Sequence, residues 1–257
     1  MSRAALSKLA ALGCTVVALA GATVAGAALV SAGDVMLRAN GGFQPQVLPR
    51  NSYAPIDFQG FFDVSRWGGG KPAKLAEAVI DFDRDGRLNV AGLPTCSPTA
   101  LAGLGVRQGR ETCPGAVVGT GRVDAWIDLP GGGALQGSSA LTIFNGPRLE
   151  GRPTAVLHAR MSAPEVQTFA IVVPIEKRRG GFRYRARLAV PEIAGGRGVI
   201  TRVEVDVGRR FSSGGVRRSY VSARCSDGII HTHGRFIFAD ADATIIDGSV
   251  EKGCTPR

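Results

Sequence analysis

The chain has 257 residues, enough for one good-sized core, with 31 Lys and Arg against 21 Asp and Glu and a formal net charge of +10. Glycine is abundant at 36 residues and aromatics make up 6%, a composition that suits many turns between short strands. No similarity recurs at the 20–50-residue periods of repeat folds, which excludes solenoids and propellers, and no Walker loop, H-E-x-x-H or G-x-S-x-G element is present.

The first 32 residues read as an export segment. Arg3 and Lys8 form a basic start without an acid, Leu9 to Ala32 carries no charge, and Val30-Ser31-Ala32 supplies small residues before the charged Asp34 and Arg38. That is the order of a secretory signal peptide. A retained anchor competes with cleavage, because about 20 apolar residues can span a bilayer, although Ala and Gly dominate here rather than Leu and Ile. A lipoprotein reading at Cys14 is disfavoured, since apolar sequence continues well past it.

Without residues 1–32 the chain keeps 29 basic and 21 acidic residues, a net of +8, and 26 of the 31 basic residues of the whole chain are Arg. Residues 33–53 have no clear period and read as a linker. Residues 54–257 read as a single domain. Ile56 to Val64 is strand-like, and Gly68-Gly69-Gly70 ends it.

Asp81, Asp83 and Asp85 stand at alternate positions before Gly86, which matches the opening of a calcium loop. The match stops there: position 12 of such a loop would be Gly92 instead of a bidentate Glu, so a polar turn explains the same residues. One short helix is expected from Thr99 to Leu104, with Ser97 as N-cap and Pro98 at the first helical position.

Four cysteines remain beyond the export segment: Cys96, Cys113, Cys225 and Cys254. An even number in an exported chain reads as two disulfides. Nearness in sequence favours Cys96–Cys113 and Cys225–Cys254 among the three possible pairings, and the lack of C-x-x-C argues against redox or zinc use.

Strand then follows strand. Val123–Leu129, Ala140–Phe144 and Ala155–Ala159 are short candidates, and Glu165–Glu176 puts Phe169, Ile171, Val173 and Ile175 on one face. Phe182, Tyr184, Ala186, Leu188 and Val190 alternate with Arg183, Arg185 and Arg187; Val203, Val205 and Val207 alternate with Arg202, Glu204 and Asp206. Period-two alternation argues half-buried antiparallel strands. The fold class expected is all-β, an antiparallel β-sandwich or jelly-roll-like barrel with one short helix and two disulfides.

Asp227-Gly228 is a two-residue turn signal. Folding the chain about it gives a hairpin with Val221, Ala223, Cys225, Ile230, Thr232, Phe236 and Phe238 on the core face. Tyr220, Ser222, Arg224, His231, His233 and Arg235 then share the outer face, which together with Arg183, Arg185 and Arg187 is the candidate ligand-binding surface. Guanidiniums, imidazoles and hydroxyls on one sheet suit a sulfated, phosphorylated or carboxylated ligand. A solvated polar face explains the same residues.

The stretches Gly92-Leu93-Pro94-Thr95-Cys96-Ser97-Pro98, Gly115 to Gly121 after Cys113, Phe144-Asn145-Gly146, and Ser219 to Gly228 with Cys254-Thr255-Pro256 together resemble a group of uncharacterised exported proteins from high-GC soil bacteria. The resemblance covers roughly Ile56 to Pro256, implies export and disulfides, and implies no activity.

The leading functional expectation is a secreted or cell-envelope, non-enzymatic binding protein. Its partner would be an anionic glycan, wall polymer or lipid headgroup, with no cofactor and no nucleic acid, since no aromatics interleave with the arginines as stacking platforms. The oligomeric state stays open. The alternative is a secreted hydrolase acting on glycan or lipid, using carboxylates such as Asp57, Asp63, Asp124, Asp128 and Glu165 or the His231/His233 pair.

Overall fold

The structure is a computed structural model, and it describes residues 27–257. The strands come in chain order: β1 (Ala28–Ala32), β2 (Val35–Gln44), β3 (Val47–Leu48), β4 (Ala54–Pro55), β5 (Asp57–Arg66), β6 (Leu75–Asp83) and β7 (Gly86–Leu88). Two short helices follow, α1 (Pro98–Leu101) and α2 (Val106–Thr112). The long strands are β8 (Val117–Asp128), β9 (Ala134–Leu149), β10 (Arg152–Met161), β11 (Gln167–Lys177), β12 (Phe182–Ala189) and β13 (Gly198–Val207). The chain closes with β14 (Arg210–Ser213), β15 (Val216–Ser219), β16 (Val221–Ala223), β17 (Ile229–Phe238), β18 (Ile245–Gly253) and β19 (Thr255–Pro256).

Twelve strands form one antiparallel sheet in the order β1-β2-β5-β13-β8-β9-β10-β11-β12-β6-β17-β18. The sheet curls until its two edges meet: a Cβ placed on Gly248 of β18 would lie 3.6 Å from the Val30 side chain of β1. The result is a nearly closed barrel, which removes most of the exposed edge that an open sheet would offer to other chains. The all-β, disulfide-stapled class expected from the alternation is the one observed.

Alternation sets what faces in and what faces out. Tyr184, Ala186 and Leu188 of β12, Val203, Val205 and Val207 of β13, and Ile230, Thr232 and Phe236 of β17 point to the interior. The intervening arginines, Arg183 excepted, point outward and meet carboxylates on neighbouring strands. Arg185 and Arg187 pair with Asp81 and Glu77 of β6, Arg202 with Asp63 of β5, and Arg235 with Asp247 of β18. Apolar inside and charged outside is the reverse of a membrane-spanning β-barrel, whose outer band is apolar.

Both disulfides are those that sequence proximity favours, Cys96–Cys113 and Cys225–Cys254. The first closes the base of the helical excursion, joining the residue before the α1 cap to the end of α2, and the Cys96 amide donates to the Asn145 carbonyl of β9. Ser97 caps α1 through its hydroxyl, which accepts from the Ala100 amide at 3.2 Å, and Pro98 is the first helical residue, as the Ser-Pro pair predicts. A second helix, α2, extends the excursion beyond the expected one.

Three readings are corrected. Residues 33–53 are not a linker, because β2 pairs along its whole length with β5, from Val35↔Arg66 to Gln44↔Asp57. The boundary at Ala32 falls within the β1–β2 hairpin; residues 1–26 of the export segment lie outside the described residues. The hairpin about Asp227-Gly228 does not form, because a strand has only two edges. Those of β17 are taken by β18 and β6, leaving β16 to pair with β4 and β7 in a three-stranded sheet.

Candidate functional site

The failure of that hairpin redistributes the predicted surface. Tyr220 and Ser222, expected outside, are buried, and both line the barrel interior. Arg224 turns instead to Asp85, donating to its carboxylate at 2.7 Å. Only His231, His233 and Arg235 stay on the outer face of β17, and each lies within 4.0 Å of a carboxylate: His231 near Glu251, His233 near Asp81 and Asp247, Arg235 against Asp247. The Arg183, Arg185 and Arg187 row exists, but Arg185 and Arg187 are neutralised by Asp81 and Glu77. Arg183 donates to the Arg84 carbonyl at 2.8 Å.

Asp81, Asp83 and Asp85 are all buried, and none is free for calcium. Asp81 accepts two bonds from Arg185, at 2.8 and 2.6 Å. These bonds outweigh burial and hold its pKa below the usual carboxylate value. Asp83 accepts from the backbone amides of Asp85 and His231. Asp85 accepts from Arg224 and the Ser226 amide. Burial alone would raise the Asp85 pKa, but the hydrogen bond from Ser226 and the Arg224 guanidinium reverse it and the net shift is downward. No group of three metal-ligating side chains converges among the described residues.

The carboxylates available to a hydrolase are likewise engaged. Asp57 pairs with Arg210, Asp63 with Arg38 and Arg202, Asp124 with Arg122, Asp128 with Lys71, and Glu165 with Arg197. A shallow outer depression over β2, β5, β8 and β13 contains none of these five acids; its own acids are Glu204 and Asp206.

What the residues do build is an internal cavity of about 350 Å³, lined almost entirely by apolar atoms. Small side chains on the inner faces create it: Ala39 and Gly41 on β2, Gly60 on β5, Ala78 on β6, Ala186 on β12, and Gly234 on β17. The void leaves Val205, Val207, Ile80 and Leu188 only half-buried although they face inward. Space of this size lies within the range of about 300–1,000 Å³ found for small-molecule pockets. By comparison, an engineered apolar cavity of about 150 Å³ takes up benzene. Sequence reasoning missed the site. The available signal was the recurrence of Ala and Gly at inward positions of strands otherwise bearing Val, Ile and Phe.

Polar groups reach the cavity at one end, where β16 and β7 cross the barrel mouth: Asp83, Arg87, Tyr220, Ser222 and Lys252. The Tyr220 hydroxyl is buried without a hydrogen-bond partner, and burial pushes its pKa up, so it stays protonated. A buried hydroxyl with no partner costs free energy unless something supplies one.

A second orphaned group lies outside the cavity. His158 of β10 is fully buried beneath α2, where a Cβ on Gly109 would come within 2.9 Å of its ring, and neither ring nitrogen makes a hydrogen bond. Burial lowers its pKa, and the nearby Leu104 backbone offsets only part of that. The folded state therefore holds His158 neutral, while the unfolded chain protonates it below about pH 6.5. Stability should be complete above that value and fall by up to about 1.4 kcal/mol per pH unit as the pH drops towards the lowered folded pKa. Urea denaturation from pH 7.5 to 5 should show this slope, and His158→Phe should remove it; an unchanged slope in that variant would refute the assignment.

No family model matches the chain, and neither a curated protein nor a solved structure is similar to it.

Proposed function

We propose that this protein is an exported, non-enzymatic binding barrel that carries an apolar small molecule in its interior. The observation that carries the reading is the apolar cavity of about 350 Å³ enclosed by charged, water-facing walls. Export is supported by the two disulfides, which fit an oxidising compartment, and by the charge pattern of the first 32 residues. Cleavage after Ala32 would remove β1 and open the seam beside β18, so retention of β1 belongs to this reading. No helix among the described residues is long and apolar enough to cross a membrane. Binding of an anionic polymer along the strand faces has less support, because Arg185, Arg187, Arg202 and Arg235 already face carboxylates.

The test is uptake of the neutral fluorophore N-phenyl-1-naphthylamine. Saturable enhancement with one site per chain is expected. Ala186→Phe directs a ring into the void and should abolish uptake. Filling an existing cavity adds contacts without strain, so the variant should keep or gain about 0.5–2 kcal/mol of stability. Loss of about 1–3 kcal/mol, the signature of overpacking, or undiminished uptake would overturn the proposal.

A further inference from the structure

The mouth of the cavity carries a group of cations whose arrangement the barrel wall does not explain. Tyr53, in the loop between β3 and β4, has three guanidinium carbons close to its ring centroid: Arg87 at 5.3 Å, Arg183 at 5.5 Å and Arg224 at 5.6 Å. Each lies within the distance at which a cation is attracted to an aromatic ring. Three like charges round one ring repel one another, and only Arg224 has a carboxylate, Asp85. Among the described residues neither Arg87 nor Arg183 pairs with an acid, in contrast to the arginines of the barrel wall. The acids near this end are already engaged: Asp83 by two backbone amides, Asp85 by Arg224, and Asp227 by Arg84. A surplus of positive charge therefore remains at the mouth.

Arg87 belongs to both features, since it lines the cavity and packs against Tyr53. Tyr220, whose buried hydroxyl has no partner, is among the residues lining the same cavity. Resting on the reading that the cavity holds an apolar molecule, we infer that the ligand is a single-chain amphiphile with an anionic headgroup. Its hydrocarbon tail occupies the barrel, and its headgroup lies between Arg87 and Arg183 at the Tyr53 platform. Guanidinium forks suit this task, because they offer paired donors to carboxylate or phosphate oxygens. The Tyr220 hydroxyl, protonated and partnerless, supplies a further donor on the path from headgroup to tail. Carboxylate and phosphate share this chemistry, and the experiment separates them.

Four probes with the same twelve-carbon chain serve: dodecanoate, dodecyl phosphate, dodecanol and dodecyltrimethylammonium, each titrated below its micelle concentration by displacement of N-phenyl-1-naphthylamine. At least one anion is expected to bind ten-fold or more tightly than dodecanol, with the ammonium weakest, and the stronger anion identifies the headgroup. In the Arg87→Gln/Arg183→Gln double variant the anion should fall to the level of dodecanol, while dodecanol itself is unchanged. Neither arginine has an ion pair to lose, and a thermal melt checks that the variant folds. Arg107→Gln, exposed on α2 and outside the cavity lining, should leave every affinity unaltered. Equal binding of anion and alcohol by the intact protein would overturn the headgroup site and leave the apolar cavity standing. Failure of all four probes and of the fluorophore would overturn the cavity reading itself.

Discussion

Replacing Cys225 and Cys254 by serine is expected to cost about 3–4 kcal/mol. The bridge spans 29 residues, and freeing a loop of that length restores to the unfolded chain about this much conformational entropy. Cys225 is fully buried among Phe43, Leu48, Ile56 and Ala223, so serine also leaves a hydroxyl in an apolar cluster. The bridge holds the end of β18 against the chain between β16 and β17, where the Cys254 amide donates to the Gly228 carbonyl and the Cys225 amide to that of Pro49. Because this end forms the cavity mouth, the variant should also lose affinity for whatever the mouth grips. Guanidinium denaturation of the oxidised protein and of the double variant measures the effect; a midpoint unchanged within error would refute it. Opening Cys96–Cys113, which spans 17 residues, should cost about 3 kcal/mol by the same reasoning, and would loosen the cover over His158 instead of the mouth.

The second large effect is expected from Arg224→Ala. Asp85 is only 1% exposed, and removal of Arg224 leaves its carboxylate with the hydrogen bond of the Ser226 amide alone. Removing one partner of a buried pair costs about 3–5 kcal/mol, and the lower end applies here because the Arg224 side chain is itself 30% exposed. The pH dependence gives an independent check. In the intact protein the folded Asp85 pKa lies below its unfolded value. Its stabilising contribution is therefore complete above about pH 4 and is lost as the pH falls through the lowered folded value. In Arg224→Ala burial acts with less opposition, so Asp85 takes up a proton at higher pH and the penalty of the substitution should shrink on acidification. A penalty constant from pH 7 to pH 3.5 would show that the carboxylate is not the source. Asp85→Asn in the Arg224→Ala background should recover part of the loss, which separates an uncompensated charge from lost packing.

These two effects meet at one place. Cys225 follows Arg224 in the chain, Ser226 follows Cys225, and Arg224 also packs on Tyr53. The segment from Tyr220 to Ser226 thus supplies two cavity-lining residues, an ion pair that anchors β16 to the β6–β7 turn, and a disulfide at the mouth. Its position explains why the arginine beside it is engaged while Arg87 and Arg183 are left with charge to offer.

Much of the barrel was legible without coordinates. Strict alternation in Phe182–Val190 and Thr201–Val207 reports a half-buried strand wherever it falls in the chain, and β12 and β13 occupy those stretches. Ser97-Pro98 reports a helix start because capping is a matter of three or four adjacent residues. The disulfide pairing followed from loop length. These are local signals, and local physics suffices to read them.

The remainder depended on partners distant in sequence. Val35 to Gln44, with its glycines and a single strongly apolar end, becomes a strand because β5 supplies hydrogen bonds along its whole length. Asp227-Gly228 has the residues of a hairpin turn, yet both edges of β17 are claimed by longer ladders, so the expected pairing with β16 is displaced. The arginine rows were visible as charge, but which of them retains it is set by the register of neighbouring strands. That register brings Asp81 opposite Arg185 and Glu77 diagonally within reach of Arg187, and brings none to Arg87 or Arg183. The chain by itself determined the all-β class, the inward and outward faces of its alternating strands and the two staples, because each is a property of neighbouring residues or of loop length. The cavity and its charged mouth were decided only by the tertiary structure, because an empty interior depends on how twelve strands close and on which small residues face one another across the space between them.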